Sequence, residues 1–127
     1  MLFRSLVEAQ RLVRRVCPSC KTSFKPHPEL LKELQLPEEE WATIELRQGK
    51  GCLECRDTGY RGRMAVHEIM TVSPTIRDLI LDRAPTSALK KQMLDEGNLT
   101  LRQDALIKLK NGITTAEEVL KETAPDR

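Results

Sequence analysis

The feature that most constrains this chain is a pair of C-x-x-C steps, Cys17-Pro18-Ser19-Cys20 and Cys52-Leu53-Glu54-Cys55, which hold all four of its cysteines. Two intervening residues let both sulfurs of a pair face one point while backbone amides hydrogen-bond them. Two such knuckles supply four thiolates, the complement of a closed tetrahedral zinc site at Cys17, Cys20, Cys52 and Cys55. The gap from Cys20 to Cys52 is longer than the usual ribbon spacing, so the intervening loop is expected to hold structure of its own. A catalytic zinc keeps a position open for water, usually with three protein ligands, and four thiolates leave none. The expected role of the metal is therefore structural. An iron–sulfur cluster or free buried thiols are the alternatives for the same residues. His27, between prolines, and His67, flanked by Val66 and Glu68, do not sit at ligand spacing from a cysteine.

Metal binding outranks disulfides only where thiols stay reduced. The opening Met1-Leu2-Phe3-Arg4-Ser5 has neither a long apolar stretch nor a small-residue cleavage site, so export is not expected. No apolar run approaches the roughly 20 residues of a membrane span. Hydrophobic residues make up 39% of the 127 and charged residues 31%, which fits a soluble globular chain. Aromatics are 3%, so the core has to come from Leu, Ile, Val, Ala and Met. The formal net charge is +2, and zinc on four thiolates would bring the chain to neutrality. A neutral domain has no global electrostatic reason to seek nucleic acid, so that partner is not expected.

Hydrophobic periodicity organises the rest. Leu2, Leu6, Ala9, Val13 and Val16 recur at steps of three and four opposite Arg4, Glu8, Arg11 and Arg15, which predicts a helix over 2–16. Lys21 to Pro28 reads as a polar stretch and Glu29 to Leu36 as a short helix. Pro37 with Glu38-Glu39-Glu40 marks another helix start, and Trp41 to Leu46 fits either its continuation or a strand. Gly49-Lys50-Gly51 is a breaker. Tyr60 to Met70 alternates as a strand does. Four short helices follow: one opened by Ser73-Pro74, one capped by Thr86 or Ser87 and stopped by Gly97, one opened by Thr100 and closed by Gly112, and one begun by Thr114 or Thr115 with Glu117-Glu118. Pro125-Asp126-Arg127 reads as a frayed tail.

The expected fold class is α+β, mainly α: a tetracysteine zinc module with a short strand region, then a cluster of about four short helices. The segments are an N-terminal helix (1–16), the tetracysteine module (17–70), the helical cluster (71–122) and a tail (123–127). Neither half looks large enough to bury a good core alone. No G-x-x-x-x-G-K-[ST], G-x-G-x-x-G or H-E-x-x-H phrase occurs, so catalysis by this chain alone is not expected. Gly59-Tyr60-Arg61-Gly62-Arg63 reads as a turn into a strand, with an anion-binding loop or RNA stacking on Tyr60 as the sharper alternatives.

The order of motifs is more specific than any one of them. It runs through Gln10-Arg11-Leu12-Val13-Arg14-Arg15, Cys17-Pro18-Ser19-Cys20, Gly51 to Arg63, Val66-His67-Glu68-Ile69-Met70, Gly97, Thr100 to Ala105, and Asn111 to Val119. From about Gln10 to about Glu122 this series resembles the C-terminal portion of the ATPases of type II secretion and type IV pilus assembly. In that family the ATPase core precedes the cysteine module and carries the Walker boxes, which are absent here. The resemblance implies a zinc-bearing structural and protein-contact part of a hexameric motor, cytoplasmic and peripheral to the inner membrane. Its implied partners are neighbouring ATPase subunits and inner-membrane platform proteins, without membrane insertion and without ATP hydrolysis by the fragment. The alternative is a free-standing zinc ribbon that binds nucleic acid. Cys52 to Cys55 with Gly59 and Gly62 also faintly resembles the zinc modules of J-domain chaperones, which repeat the phrase several times.

Overall fold

The computed structural model describes residues 6–125, and the readings of Met1–Ser5 and of Asp126-Arg127 lie outside them. The elements in order are β1 (Leu6–Val16), β2 (Lys21–Phe24), α1 (Pro28–Glu33), α2 (Glu38–Trp41), β3 (Leu46–Gly49) and β4 (Tyr60–Thr71). Then come α3 (Pro74–Leu81), α4 (Thr86–Asp95), α5 (Leu101–Lys110) and α6 (Ala116–Glu122). Strands β1 and β4 form a long antiparallel ribbon, in register from Leu6↔Thr71 to Arg14↔Arg63 and then Val16↔Tyr60. Strands β2 and β3 form a second antiparallel pair, from Lys21↔Gly49 to Phe24↔Leu46. The class is α+β, with a larger share of strand than expected.

The helix expected over 2–16 is a strand across its described part, Leu6–Val16. The error has a physical source. Regular strands bury every second residue, but the ladder shifts between Arg14 and Val16. There Arg61 and Gly62 of β4 oppose Arg15 alone, the extra residue of a β-bulge, and Val13 and Val16 are both buried, at 0% and 4% exposure. Two buried valines three apart then imitate a helical step. The polar stretch after Cys20 contains β2, whose four residues are too few to show a period. The chain leaves α2 at Trp41 and re-enters a strand at Leu46, so the undecided segment is mostly a link.

The core draws on both halves of the sequence. Val13 and Val66 from the ribbon meet Leu31 and Leu34 of the α1 turn, Trp41, Leu46, Ala105 and Leu109 of α5, and Ala116 and Val119 of α6. Each large aliphatic side chain buried this way stabilises the fold by about 1.5–3 kcal/mol. Polar bonds then fix α5 against β4: the His67 N–H donates to Asp104 Oδ2 at 2.8 Å, and the Leu101 N–H to Glu68 Oε1 at 3.1 Å. The buried Arg102 donates to Thr123 Oγ1 (2.7 Å) and to the Thr123 carbonyl (2.9 Å), tying α5 to the end of α6.

The late helices begin where local chemistry dictates. Ser73 caps α3 by accepting from the Ile76 N–H, Thr100 forms a full capping box with Gln103, and Thr115 caps α6. The cap expected at Thr86 or Ser87 is instead Pro85, whose extended ψ of 155° delivers Thr86 as the first helical residue.

Candidate metal centre

Strand β1 ends at Val16, so Cys17 is the first residue of the turn that follows, and Cys20 closes that turn before β2. Cys52 and Cys55 lie in the loop from β3 to β4. Backbone bonds dock the two loops: the Cys17 N–H donates to the Gly59 carbonyl (2.9 Å) and the Lys50 N–H to the Cys20 carbonyl (3.2 Å). Gly59 permits this approach. Its φ is +82°, and a methyl group there would sit 2.7 Å from the Gly49 carbonyl oxygen, so a side chain is excluded on both counts.

All four expected ligands come together. Their Sγ atoms lie within 4.8 Å of one another. Individual separations are 3.8 Å for Cys17–Cys52, 3.7 Å for Cys20–Cys55 and 3.6 Å for Cys52–Cys55. A tetrahedral ion with metal–sulfur bonds of about 2.3 Å sets its sulfurs roughly 3.8 Å apart. The spacing therefore suits one ion held by four sulfurs, and it is far beyond a disulfide's length of about 2.05 Å. His27 and His67 do not belong to this group.

Amide donors complete the knuckles. The Gly51 N–H points at Cys20 Sγ (3.3 Å), and the Cys52 and Gly59 N–H groups at Cys55 Sγ (3.2 and 3.3 Å). Cys17 and Cys55 are buried, while Cys20 and Cys52 are partly exposed. Burial pushes the Cys55 thiol up, but its two amide donors and the neighbouring thiols outweigh that and bring it down to about 6. Burial pushes Cys20 up to about 12, against the single amide of Gly51 and reinforced by the other three thiols. The Cys55 backbone bond pulls Cys52 down, and burial with the adjacent thiols leaves it raised. Sulfurs this close cannot all ionise without a cation among them.

Behind the cysteines lies a layer that sequence reasoning missed. Glu118, 1% exposed, accepts the backbone N–H of Arg14 through Oε1 (2.7 Å) and the Arg14 guanidinium through Oε2 (3.2 Å). Arg14 also covers the Tyr60 ring at 3.9 Å, and the Tyr60 hydroxyl lies 2.8 Å from Thr115 Oγ1. Thr114 Oγ1 donates to the Arg14 carbonyl (2.8 Å), and the Val16 N–H to the Ile113 carbonyl (2.8 Å). These bonds seat the residues just before Cys17 on the α5–α6 turn. Tyr60 is thus engaged on its ring and its hydroxyl, and Arg61 pairs with Glu54 (3.2 Å). The only sequence signal near Glu118 is its place three residues after the Thr115 cap, where it would be expected to reach back to its own helix.

Comparison with known proteins bears on the whole chain. Residues 4–121 match the family described as type II/IV secretion system protein. The chain is 46% identical over 117 residues to the type IV pilus assembly ATPase PilB of Thermus thermophilus, covering 92% of this chain and 13% of that protein. It is 38% identical to the type IV pilus assembly ATPase PilB of Myxococcus xanthus, covering 97% of this chain and 22% of that protein. It is 36% identical to the type II secretion system ATPase E of Vibrio cholerae, covering 92% and 23%. The chain thus spans less than a quarter of the length of these relatives.

Proposed function

Since the chain belongs to the type II/IV secretion system protein family, we propose that it is the C-terminal, zinc-bearing part of a hexameric ATPase for type II secretion or type IV pilus assembly. Its role in that reading is structural and protein-contacting, and it does not itself hydrolyse ATP. Cys17, Cys20, Cys52 and Cys55 hold the zinc. The observation that carries the assignment is the convergence of four sulfurs within 4.8 Å. An all-thiolate set suits zinc, and a full shell of protein ligands leaves no place for a reacting water. A multi-iron cluster would hold its sulfurs around its periphery rather than at one point. When bound, the metal cross-links the two loops and neutralises their thiolates.

Within this reading, residues 17–70 form the metal module and 71–122 the helical cluster. The partners are neighbouring ATPase subunits and inner-membrane platform proteins, on the cytoplasmic side and peripheral to the membrane. Among the described residues no helix is long and apolar enough to cross a membrane. The absence of a phosphate-binding loop from the sequence supports a part that accompanies the nucleotide site of the motor. The test is native mass spectrometry of the purified chain before and after chelation, with Cys52→Ser beside it. One zinc per chain, lost together with folding, is the expected result. Full metal retention with an unchanged melting profile in Cys52→Ser would overturn the assignment.

A further inference from the structure

A groove of about 950 Å³ runs between β1, β4 and the last turns of α6. Arg11, Arg14, Arg63 and Lys121 line it, against Glu118 and Glu122. Glu118 is already committed to Arg14. Arg11, Arg63 and Lys121 are exposed and form no ion pair among the described residues. Arg14 Nε adds a buried donor with no partner. The groove is therefore cationic and electrostatically unfilled.

The opposite charge is concentrated elsewhere in the same chain. Residues 29–45 carry six glutamates and one lysine. Glu29, Glu33, Glu38, Glu39 and Glu40 are exposed and make no ion pair among the described residues, and none of them lines the groove. Trp41, Leu31 and Leu34 hold this segment to the core, so its acids are presented on a fixed surface. We propose that the cationic groove receives the glutamate-rich α1–α2 face of a second copy of this chain. The choice of a second copy rests on the reading of the chain as a subunit of a ring.

The dimensions allow it. One helical turn with its side chains, roughly 10–12 Å across and 6 Å long, fills about 470–680 Å³, which the groove admits. Because the two surfaces differ, the contact is heterologous, the kind that closes rings when its rotation closes and runs on when it does not. Solvent-edge ion pairs are individually weak and screened by salt. The contact is accordingly salt-sensitive, and it fixes how one copy is oriented on the next.

The experiment is sedimentation of the metal-loaded chain over a concentration series at about 50 mM and about 500 mM salt. The wild type is expected to associate at low salt and to dissociate at high salt. Arg11→Glu with Arg63→Glu, and separately Glu38→Lys with Glu39→Lys and Glu40→Lys, should each weaken association at least about tenfold. Mixing the two variants should restore it, because each now offers the complement of the other; a folding defect would not be repaired by mixing. A wild type that stays monomeric at low salt, association that survives both variants, or no recovery on mixing overturns the proposal. Metal content and melting temperature, measured on the same samples, report separately on the zinc reading, since neither variant touches a cysteine.

Discussion

Replacing Glu118 tests whether the α6 carboxylate holds the end of β1. In the wild type it makes two bonds, and the structure ranks them. The 2.7 Å bond to the Arg14 backbone N–H is made by a carboxylate only 1% exposed. Hydrogen bonds to a buried charge contribute about 1.5–3 kcal/mol. The 3.2 Å bond to the guanidinium involves an arginine side chain that is 40% exposed, so solvent screening reduces that half to about 0–1 kcal/mol. Glu118→Ala should therefore cost about 1.5–4 kcal/mol. For a domain of this size, that lowers Tm by roughly 6–16 °C. Glu118→Gln keeps a neutral acceptor for the amide and should cost only about 1 kcal/mol. In a double-mutant cycle with Arg14→Ala the backbone N–H survives, so the coupling should not exceed about 1 kcal/mol. The measurement is urea and thermal unfolding of all four proteins. A melting temperature for Glu118→Ala within about 2 °C of wild type would refute the reasoning. So would a coupling energy equal to its whole cost, which would mean that the guanidinium, not the amide, is what Glu118 holds.

Two glycines with the same backbone sign but different surroundings give a paired test. Gly59 (φ +82°) faces the Gly49 carbonyl at 2.7 Å from a would-be methyl, whereas Gly62 (φ +79°) meets only Arg15 Cδ at 3.8 Å. Gly62→Ala should cost about 1 kcal/mol, and Gly59→Ala at least about 2 kcal/mol more, with weaker metal retention against a competing chelator. Equal losses of stability would remove the steric argument. At the opposite end of the core, Thr100→Ala deletes a buried cap that accepts the Gln103 N–H. It should cost about 1–2 kcal/mol and speed amide exchange in the first turn of α5, while leaving the metal content unchanged.

What could be read from the sequence was whatever is written in short spacing. Two residues between cysteines suffice to aim two sulfurs at one point, and a serine or threonine three residues ahead of its donor suffices to start a helix, as at Ser73, Thr100 and Thr115. Strand β1 failed the same approach because Val13 and Val16, three apart at the irregular end of the ribbon, are both buried and counterfeit a helical period. Strands β2 and β3 are four residues each, and they pair across a long sequence gap, Lys21 opposite Gly49, where no short spacing signals it. Glu118 and Arg14 are 104 residues apart, and no local rule could have joined them. The cap at Pro85 was misplaced for the opposite reason: Thr86 and Ser87 both have the chemistry of a cap, and the backbone used neither.

The position of the cysteines shows where a bound metal would contribute most to the fold. The bulged end of the ribbon is held from two sides. On one side Glu118, Thr114 and the Ile113 carbonyl grip Arg14 and Val16 through long-range bonds. On the other, the loop 50–59 offers almost nothing to the core: Leu53 is 94% exposed, and Cys55 is its one buried apolar side chain. A loop without apolar contacts cannot offset the entropy of ordering its backbone, about 1–2 kcal/mol per residue. Ligation can, because the binding free energy of the ion becomes folding free energy of whatever supplies its ligands. Loss of metal should then be felt first at Cys17, Gly59 and the Val16↔Tyr60 end of the ribbon. The distal registers, from Val66 to Thr71, are secured instead by Asp104 and Glu68 against α5.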